Sequence, residues 1–435
     1  MDVGLKKELD LDLVENFSNN NKLIKKIKEE DFFDWFRGFC DAESNFLVRI
    51  RKGSDGKLIG FEFIFRIALH IDDLEVLKII QDKLKCGKIV KDRNTFVFWV
   101  SSLKEIETVI IPLFTDCPLM TKKYLDFLDF KKSFVIFKNR QIDKKNRDIY
   151  NTQILELKNS MNDQRVHFLI PENHIKITAN YLLGYIEGDG SFYYNQYDNT
   201  VRISLITVMN DRILLEKIKE FLLEDLDCNS LFLAQHIKLI FINDKTVIKS
   251  RKGVTILEIS QIDYICNRLI PFFDKLNFRT KKYLDYIDFK RIAFLLLDGK
   301  HLSKKGGLLI KKIADTMNNN RLSTNLKKDT TDNSNLELEL KLLEKSEPLL
   351  KIYSDGRSLN LINKKWIRTP KIIEVILLDE QKKNFPSGVS CAEFFSVSST
   401  TITARLNDGK SLINKEKEIL ALSLKRIRVF TKIKP

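Results

Sequence analysis

Two acidic residues end two short segments of the chain that share one pattern. Residues 35–44 read WFRGFCDAES, and residues 181–190 read YLLGYIEGDG. In both, an aromatic residue, a glycine, an aromatic residue, an apolar residue, an acid, a small residue and a second acid follow in the same order. The second acids are Glu43 and Asp189. Paired carboxylates can bind divalent ions that activate water for attack on a phosphodiester. The alternative is that each acid caps an exposed helix end, but its presence in both copies favours the catalytic interpretation.

Small residues in both segments recur at a spacing that suits close helix packing. Gly38 and Ala42 lie four residues apart, as do Gly184 and Gly188, so each pair occupies one face of a helix. Small residues on facing surfaces allow two helix backbones to approach closely. We therefore expect the two helices to bring their terminal acids together. The helix dipoles and mutual repulsion disfavour negative charge there, and a bound divalent cation would compensate for it.

The composition favours a polyanionic partner and limits the choice of metal. The 435 residues carry a formal net charge of +15, which favours nucleic acid or an anionic membrane surface. No stretch of about 20 apolar residues is present, so we expect no membrane span. The six cysteines form no CxxC pair, and the five histidines show no metal-site spacing. A catalytic metal is then held mainly by carboxylates, which suits a hard ion such as Mg²⁺ or another divalent cation.

An internal repeat indicates that the chain contains two copies of one unit. Residues 121–131 read TKKYLDFLDFK and residues 280–290 read TKKYLDYIDFK, an offset of 159 (280 − 121). The segments IPLF and IPFF, which precede them, keep the same offset. The glycines of the acidic segments are 146 residues apart (184 − 38), so the second copy carries about 13 additional residues, which belong in a loop.

The hydrophobic pattern inside each copy predicts a mixed helix and sheet unit. Residues 45–69 read as a hairpin, residues 72–85 have helical spacing, and residues 88–102 read as a second hairpin before the terminal helices. The second copy repeats this order. The predicted fold class is therefore α+β, with two pseudo-symmetric αββαββα units.

The remainder of the chain differs in composition from the two units. We predict an N-terminal extension (1–30), a first unit (31–143), a connecting segment (144–175), a second unit (176–300), a polar linker (301–370) and a C-terminal module (371–435). Within the linker, the polar stretch at 301–345 is expected to act as a flexible tether. In that module a hairpin precedes two short helices, the second opened by serine, which fits a helix-turn-helix. Thr400, Thr401 and Arg405 lie along the second helix and are candidates for DNA contact.

The paired segments resemble the two motifs of LAGLIDADG homing endonucleases. The resemblance rests on residues 36–44 and 182–190 and covers roughly residues 30–295. It implies two four-stranded sheets that form a saddle over duplex DNA. It also implies site-specific cleavage of both strands across the minor groove, which leaves short 3′ overhangs. The C-terminal module resembles the small nuclease-associated DNA-binding modules often appended to such enzymes.

The same resemblance assigns roles to the acids of each motif. The last acids, Glu43 and Asp189, correspond to the metal ligands of the family. The first acids, Asp41 and Glu187, correspond to residues with lesser structural roles. Ser44 stands where the family has a closing glycine.

A lysine near each acid is the second catalytic candidate. Lys122 and Lys281 lie in the repeated Thr-Lys-Lys segments and resemble by position the active-site lysines of the family, with Lys123 and Lys282 as rivals. An ammonium group there would stabilise charge on the phosphate or polarise water. The alternative is a basic helix start that faces solvent.

DNA contacts are expected from one face of the strands. Arg49 and Arg51 alternate with apolar residues in the first strand, so they share a face that can meet a groove of the duplex. Arg66, Asn195 and Arg202 are further candidates of the same kind.

Double-stranded DNA is the expected partner, and intron RNA is a further candidate. We expect a monomer, because one chain already carries both motifs. Two other functions stay open at this point: an intron maturase on the same fold, and a DNA-binding protein that no longer cuts. A helix-turn-helix favours duplex DNA, since the major groove of A-form RNA is too narrow for a reading helix.

A mitochondrial location is expected from the composition and from the resemblance. The chain is rich in Lys, Asn, Ile and Phe, which indicates an AT-rich gene, and organellar introns often encode this family. The first residues show neither a secretory signal nor an Arg-rich transit peptide. A gene product made inside the organelle needs no import signal.

Overall fold

The computed structural model describes most of the two repeat units and most of the C-terminal part. The described residues are 31–170, 174–208, 211–225, 237–242, 253–325, 333–352, 358–368, 372–385, 388–414 and 418–427. None of the helices within these ranges is long and apolar enough to cross a membrane.

The first unit begins with the helix that carries the first acidic segment. Its main helices and strands are α1 (Asp31–Glu43), β1 (Ser44–Lys52), β2 (Leu58–His70), α2 (Leu74–Leu84), β3 (Lys88–Asp92), β4 (Thr95–Val100), α3 (Lys123–Ile142) and α4 (Arg147–Asn159). Three short helical segments, Leu103–Glu105, Ile106–Ile110 and Ile111–Asp116, lead from β4 towards α3. The strands form one antiparallel sheet in the order β1-β2-β4-β3.

Alternation along the strands separates a buried aromatic face from an open face. Phe46 and Val48 of β1 are buried, whereas Arg49 and Arg51 are exposed. The ring of Phe46 lies between 5.1 and 5.5 Å from four other phenylalanine rings, contributed by β2, the helical segment before α3, and α3. Such aromatic contacts add to the stability gained from burial alone. The helices therefore cover one face of the sheet and leave the arginine face open, as the alternation predicts.

The second unit repeats the first. Its main helices and strands are α5 (Ala179–Asp189), β5 (Gly190–Asn195), β6 (Thr200–Val208), α6 (Arg212–Asp225), β7 (Ile237–Ile242), β8 (Val254–Ile259), α7 (Lys282–Leu297), α8 (Lys304–Ala314) and α9 (Asn333–Lys345). Its antiparallel sheet has the order β5-β6-β8-β7, which matches the first sheet strand for strand. The predicted α+β class and the αββαββα order of both units are confirmed.

In each unit an arginine late in the chain binds back to the long helix that follows the Thr-Lys-Lys segment, α3 or α7. The segments SMNDQR and TMNNNR carry these arginines. In the first unit, Arg165 Nε donates to Asp126 Oδ1 at 2.8 Å. In the second, Arg321 Nε donates to Asp285 Oδ1 at 3.0 Å. The repeat therefore extends further along the chain than the Thr-Lys-Lys helices.

The prediction that residues 301–345 act as a flexible tether is wrong for the described part of that stretch, which excludes residues 326–332. Helices α8 and α9 pack on the second unit, where Leu340 of α9 is buried. Arg291 of α7 binds Glu337 and Glu344 of α9. The polar composition was misleading, because a few apolar residues at helical spacing suffice to bury one face of a short helix.

A buried lysine attaches the C-terminal part to the second unit. Lys300 is fully buried, and its Nζ donates to Ser346 Oγ and to Glu347 O, both at 2.9 Å. The N–H group of Leu350 donates to Asp298 O at 3.1 Å. The chain therefore follows a fixed path along the second unit as it enters the next strand.

The C-terminal part combines small sheets with two short helices. Its elements are β9 (Leu350–Ile352), β10 (Ser358–Asn360), β11 (Trp366–Arg368), β12 (Ile372–Ile376), β13 (Lys382–Phe385), α10 (Gly388–Phe394), α11 (Ser399–Asp408), β14 (Leu412–Ile413), β15 (Ile419–Ala421) and β16 (Ser423–Ile427). The predicted hairpin and helix pair are present. Val375, Cys391 and Ile402 share one core, so the helices pack on the sheet β13-β12-β16.

Candidate active site

Helices α1 and α5 cross through a glycine on each side. A Cβ atom on Gly38 would lie 2.0 Å from the carbonyl oxygen of Tyr181, and a Cβ atom on Gly184 would lie 2.0 Å from that of Trp35. No larger side chain fits at either position without moving a helix backbone. The close approach expected from the small-residue spacing is therefore present.

The crossing brings the last acids of the two segments to one place. Glu43 ends α1 and Asp189 ends α5. Burial raises the pKa of Glu43, and it raises the pKa of Asp189 to about 7. Asp189 nevertheless remains exposed to solvent at the end of α5. The nearby charge of Lys123 opposes both shifts, whereas repulsion from Glu43 adds to that of Asp189.

The second lysine of each Thr-Lys-Lys segment faces these acids. Lys123 is largely enclosed, and its Nζ donates to Ala42 O at 2.6 Å, at the C-terminal end of α1. Burial lowers the pKa of this ammonium group, and the charges of Asp189 and Glu43 oppose that shift. The charge of Lys282 also lowers the pKa of both acids. Two ammonium groups thus accompany two carboxylates at the crossing.

The first lysines of these segments, Lys122 and Lys281, face other partners. The charge of Lys122 acts on Asp211, and Lys281 Nζ lies 3.3 Å from Asp72 Oδ2. Adjacent residues at the start of a helix project about 100° apart, so only one of two consecutive lysines can face the crossing. The structure therefore favours the rival pair named from the sequence over the pair first preferred.

The first acid of each motif holds the start of the following terminal helix. Asp41 accepts hydrogen bonds from Thr121 N–H at 3.0 Å and from Tyr181 Oη at 2.7 Å. Glu187 accepts them from Thr280 N–H at 2.7 Å and from the indole N–H of a tryptophan on α1 at 2.6 Å. Each acid thus joins its own unit to the opposite one, a structural role of the kind implied by the resemblance.

A cleft of about 390 Å³ opens beside Glu43. Its wall includes His70, Asp73, Lys281 and Lys282. The cleft therefore continues from Glu43 to the end of β2 and to the start of α7.

The candidate DNA-contacting arginines lie on the open faces of the sheets, and two of them have acidic partners. Arg49 Nη1 lies 3.3 Å from Glu62 Oε2, and Arg202 Nη1 lies 3.2 Å from Glu258 Oε2. Arg51 is exposed further along the same face as Arg49. Ion pairs of this kind orient a guanidinium group before it meets a ligand.

Arg66 and Asn195 share these open faces. Arg66 is partly exposed and pairs in register with Trp99 on the neighbouring strand. Asn195 Oδ1 accepts the N–H group of Tyr197 at 3.0 Å, which shapes the turn between β5 and β6. Asn195 therefore has a local structural partner as well as a position on the open face.

The candidate residues of the C-terminal module lie along helix α11. Ser398 Oγ accepts the N–H group of Thr401 at 3.0 Å and contacts the hydroxyl of Thr400 at 2.6 Å. Arg405 Nη1 lies 2.6 Å from Asp408 Oδ2. The two threonines mark the N-terminal end of the helix, and the arginine follows on its next turn.

Two further aspartates at the site were not identified from the sequence. Asp211 accepts the N–H group of Lys122, and Asp73 accepts that of Lys281. A sequence signal did exist, because both aspartates precede a helix at the same place in their units. It indicated a helix cap and not a partner in the opposite unit.

The fold defines a class of single-chain proteins in which two αββαββα units join at glycine-faced helices. Each unit contributes one acid and one lysine to the site at this joint. The family described as LAGLIDADG endonuclease matches residues 36–134 and 182–293, one match in each unit. The chain belongs to the LAGLIDADG endonuclease family.

Known proteins of similar sequence match this chain over different lengths. An uncharacterized mitochondrial protein RF1 of Saccharomyces cerevisiae is 24% identical over 410 residues, which cover 91% of this chain and 83% of the yeast protein. A probable intron-encoded endonuclease 2 of Neurospora crassa is 28% identical over 300 residues, 62% of this chain and 61% of that protein. The mitochondrial location and the intron-encoded origin predicted from the sequence are confirmed by such relatives.

Solved structures of similar fold contain bound DNA. The LAGLIDADG homing endonuclease I-GzeII in complex with its DNA target is 25% identical, with a TM-score of 0.56 over 66% of this chain and 99% of its own. The homing endonuclease I-LtrWI bound to target DNA is also 25% identical, with a TM-score of 0.53 over 67% of this chain and 98% of its own.

Proposed function

We propose that this protein is a site-specific DNA endonuclease that hydrolyses a phosphodiester bond in each strand of a duplex. The observation that carries the proposal is the pairing of Glu43 and Asp189 at two helix ends, where burial raises both pKa values. Perturbed carboxylates of this kind cluster at functional sites, because an ordinary surface would not retain them. The intron-encoded endonucleases among the relatives and the DNA-bound structural neighbours support the same function.

The donor set at the crossing suits a hard divalent cation. Glu43 and Asp189 offer oxygen ligands, and their raised pKa values reflect a charge that a cation would neutralise. Within the described ranges, no group of three His, Cys, Asp or Glu side chains is placed to hold a metal. The remaining ligands would be water, backbone oxygens or DNA phosphate, which is the coordination that Mg²⁺ commonly takes. When bound, the ion would activate water and stabilise charge on the phosphate.

The two lysines supply positive charge that is independent of any cation. Lys123 is anchored by Ala42 O and faces both acids, so its ammonium group can stabilise the charge that develops on the phosphate. Lys282 lines the cleft beside Glu43 and can act in the same way on the other side. Each half then contributes one acid and one lysine to the reaction.

The open faces of the two sheets are the proposed DNA-binding surface. Arg51 and Arg66 offer donors on the first sheet, together with Arg49. Asn195 and Arg202 offer them on the second. Bidentate contacts from arginine to guanine, or from asparagine to adenine, would read base edges in the major groove. Because the two faces differ in sequence, we expect an asymmetric target bound by a monomer.

The C-terminal module adds a second DNA contact. Thr400 and Thr401 lie at the start of α11, and Arg405 lies on its next turn. The N-terminal residues of a reading helix contact base edges, which supports a DNA contact by this helix. The attachment of residues 346–350 to the second unit gives this module a defined starting point.

Cleavage of the exon junction that lacks the intron tests this function. We expect double-strand cleavage with Mg²⁺ and none with a chelator. Glu43→Gln and Asp189→Asn should each abolish cleavage while DNA binding stays nearly unchanged, because these acids hold metal and not DNA. Full cutting by both variants would contradict the proposed site. Tight binding of the intron RNA without any DNA cleavage would indicate a maturase instead.

A further inference from the structure

Every backbone N–H group at the start of helix α3 has a specific acceptor. Met120 and Thr121 donate to Asp41. Lys122 donates to Asp211, and Lys123 donates to the hydroxyl of Thr121.

The start of α7 repeats this arrangement with Glu187, Asp73 and the hydroxyl of Thr280. The first N–H groups of a helix have no partner within the helix, so these acceptors determine how its first turn is oriented.

One acceptor in each set comes from the opposite unit. Asp211 of the second unit accepts the N–H group of Lys122 at 2.6 Å. Asp73 of the first unit accepts that of Lys281 at 2.9 Å. Both contacts are charge-assisted hydrogen bonds, which are stronger than bonds between neutral groups.

The position of Asp73 argues against an ordinary cap. Asp73 stands at the N-cap position of α2, yet its side chain makes no hydrogen bond to the first turn of that helix. Its carboxylate is directed to Lys281 instead. Asp211 is only 7% exposed, and its burial is costly unless its hydrogen bonds are made. Both aspartates therefore serve the opposite unit.

The residue that follows each of these contacts bears an active-site amine. Lys123 comes directly after Lys122, and its Nζ reaches Ala42 O at 2.6 Å beside the paired acids. A change in the first turn of α3 would move this amine, and small displacements of a catalytic group cost rate steeply.

We propose that Asp211 and Asp73 are positioning residues, each of which fixes the active-site lysine of the opposite unit. Asp211 positions Lys123, and Asp73 positions Lys282. Neither half of the active site is then complete without the other unit. This inference rests on the proposed endonuclease function.

The test uses the full-length protein and a duplex of the intronless exon junction, with each strand labelled separately. Single-turnover rates, DNA affinity and thermal stability are measured for Asp211→Ala and Asp211→Asn. Lys123→Met identifies the strand that depends most on that lysine. The control is Asp82→Ala, which removes an exposed carboxylate of α2 that pairs with Lys85.

We expect Asp211→Ala to slow cutting of the strand identified by Lys123→Met by about tenfold or more relative to the other strand. DNA affinity should stay within about threefold, since the aspartate faces protein and not the open sheets. The amide oxygen of Asp211→Asn still accepts the N–H group of Lys122, so this variant should recover most of the lost rate. Asp82→Ala should cut both strands at the wild-type rate.

Other outcomes would overturn the proposal. Equal slowing of both strands, or slowing in proportion to lost stability or affinity, would make Asp211 a structural residue only. Failure of Asp211→Asn to cut better than Asp211→Ala would have the same meaning. A wild-type protein that binds the junction but never nicks it would refute the proposed function itself, and with it the positioning role.

Discussion

Replacement of Asp189 by asparagine should stabilise the protein while it abolishes cleavage. In the folded protein the pKa of Asp189 is raised from 3.8 to about 7, first by burial and further by repulsion from Glu43. Between these two values the folded state keeps a proton that the unfolded chain has lost. The contribution of this group to the free energy of unfolding therefore falls as pH rises from about 4 to 7. Above pH 7 the full cost of holding the charged carboxylate in the folded protein is present. The asparagine variant lacks the penalty.

The pKa shift sets the size of the effect. A shift of about three units corresponds to about 4 kcal/mol at pH 8, at about 1.4 kcal/mol per unit. Solvent reaches the Asp189 side chain, and screening reduces the contribution of exposed charges. We therefore expect the variant to be more stable than the wild type by about 1–2 kcal/mol at pH 8, and by much less at pH 4.

Urea unfolding in the presence of chelator, at pH 4 and pH 8, measures this difference. Addition of Ca²⁺ or Mg²⁺ at pH 8 should stabilise the wild type more than the variant, because binding to the folded state raises its stability. Asp72→Asn provides a control of opposite sign. The pKa of Asp72 is lowered to about 2 by hydrogen bonds from Ser323 and by the charge of Lys281, so its removal should destabilise the protein at pH 8.

Two results would refute this reasoning. A wild type that is as stable as Asp189→Asn at pH 8 without metal would mean that the Asp189 carboxylate carries no electrostatic penalty. A stability difference that does not change between pH 4 and pH 8 would assign the effect to packing and not to charge.

Three further predictions concern other parts of the molecule. Gly184→Ala should destabilise the protein by about 3 kcal/mol or more in urea unfolding, since the added Cβ would lie 2.0 Å from Trp35 O. An unchanged urea midpoint would contradict the close crossing of α1 and α5. Lys123→Met should lower the single-turnover cleavage rate by about a hundredfold and Lys122→Met by less than about tenfold, and equal losses would refute the assignment of the amine. Removal of residues 371–435 should weaken DNA binding and reduce its dependence on salt, while saturating enzyme still cuts; the same affinity and salt slope in both forms would exclude a DNA contact by this module.

The sequence was sufficient to predict the two units and the paired acids. Repeats and alternation are local properties, so residues 121–131 and 280–290 could be aligned without any structure. The spacing of small residues also predicted that Glu43 and Asp189 meet, because a helix converts a spacing of four into a shared face. These inferences needed only the geometry of single helices and strands.

The end of the second unit was harder to predict from composition. The segment around Arg321 appeared polar, yet Arg321 binds Asp285 and Leu340 packs in the core of the second unit. The matching segment around Arg165 carried the necessary signal, but a short polar repeat does not reveal which buried acid it contacts.

Which lysine of each pair faces the acids was decided only by tertiary structure. Lys122 and Lys123 are equivalent in sequence, and the choice depends on the rotation of α3 about its axis. That rotation is set by hydrogen bonds from Asp41 and Asp211, which lie about 80 and 90 residues away along the chain and, for Asp211, in the opposite unit. A sequence specifies local geometry directly, whereas contacts between distant segments exist only after the two units have packed.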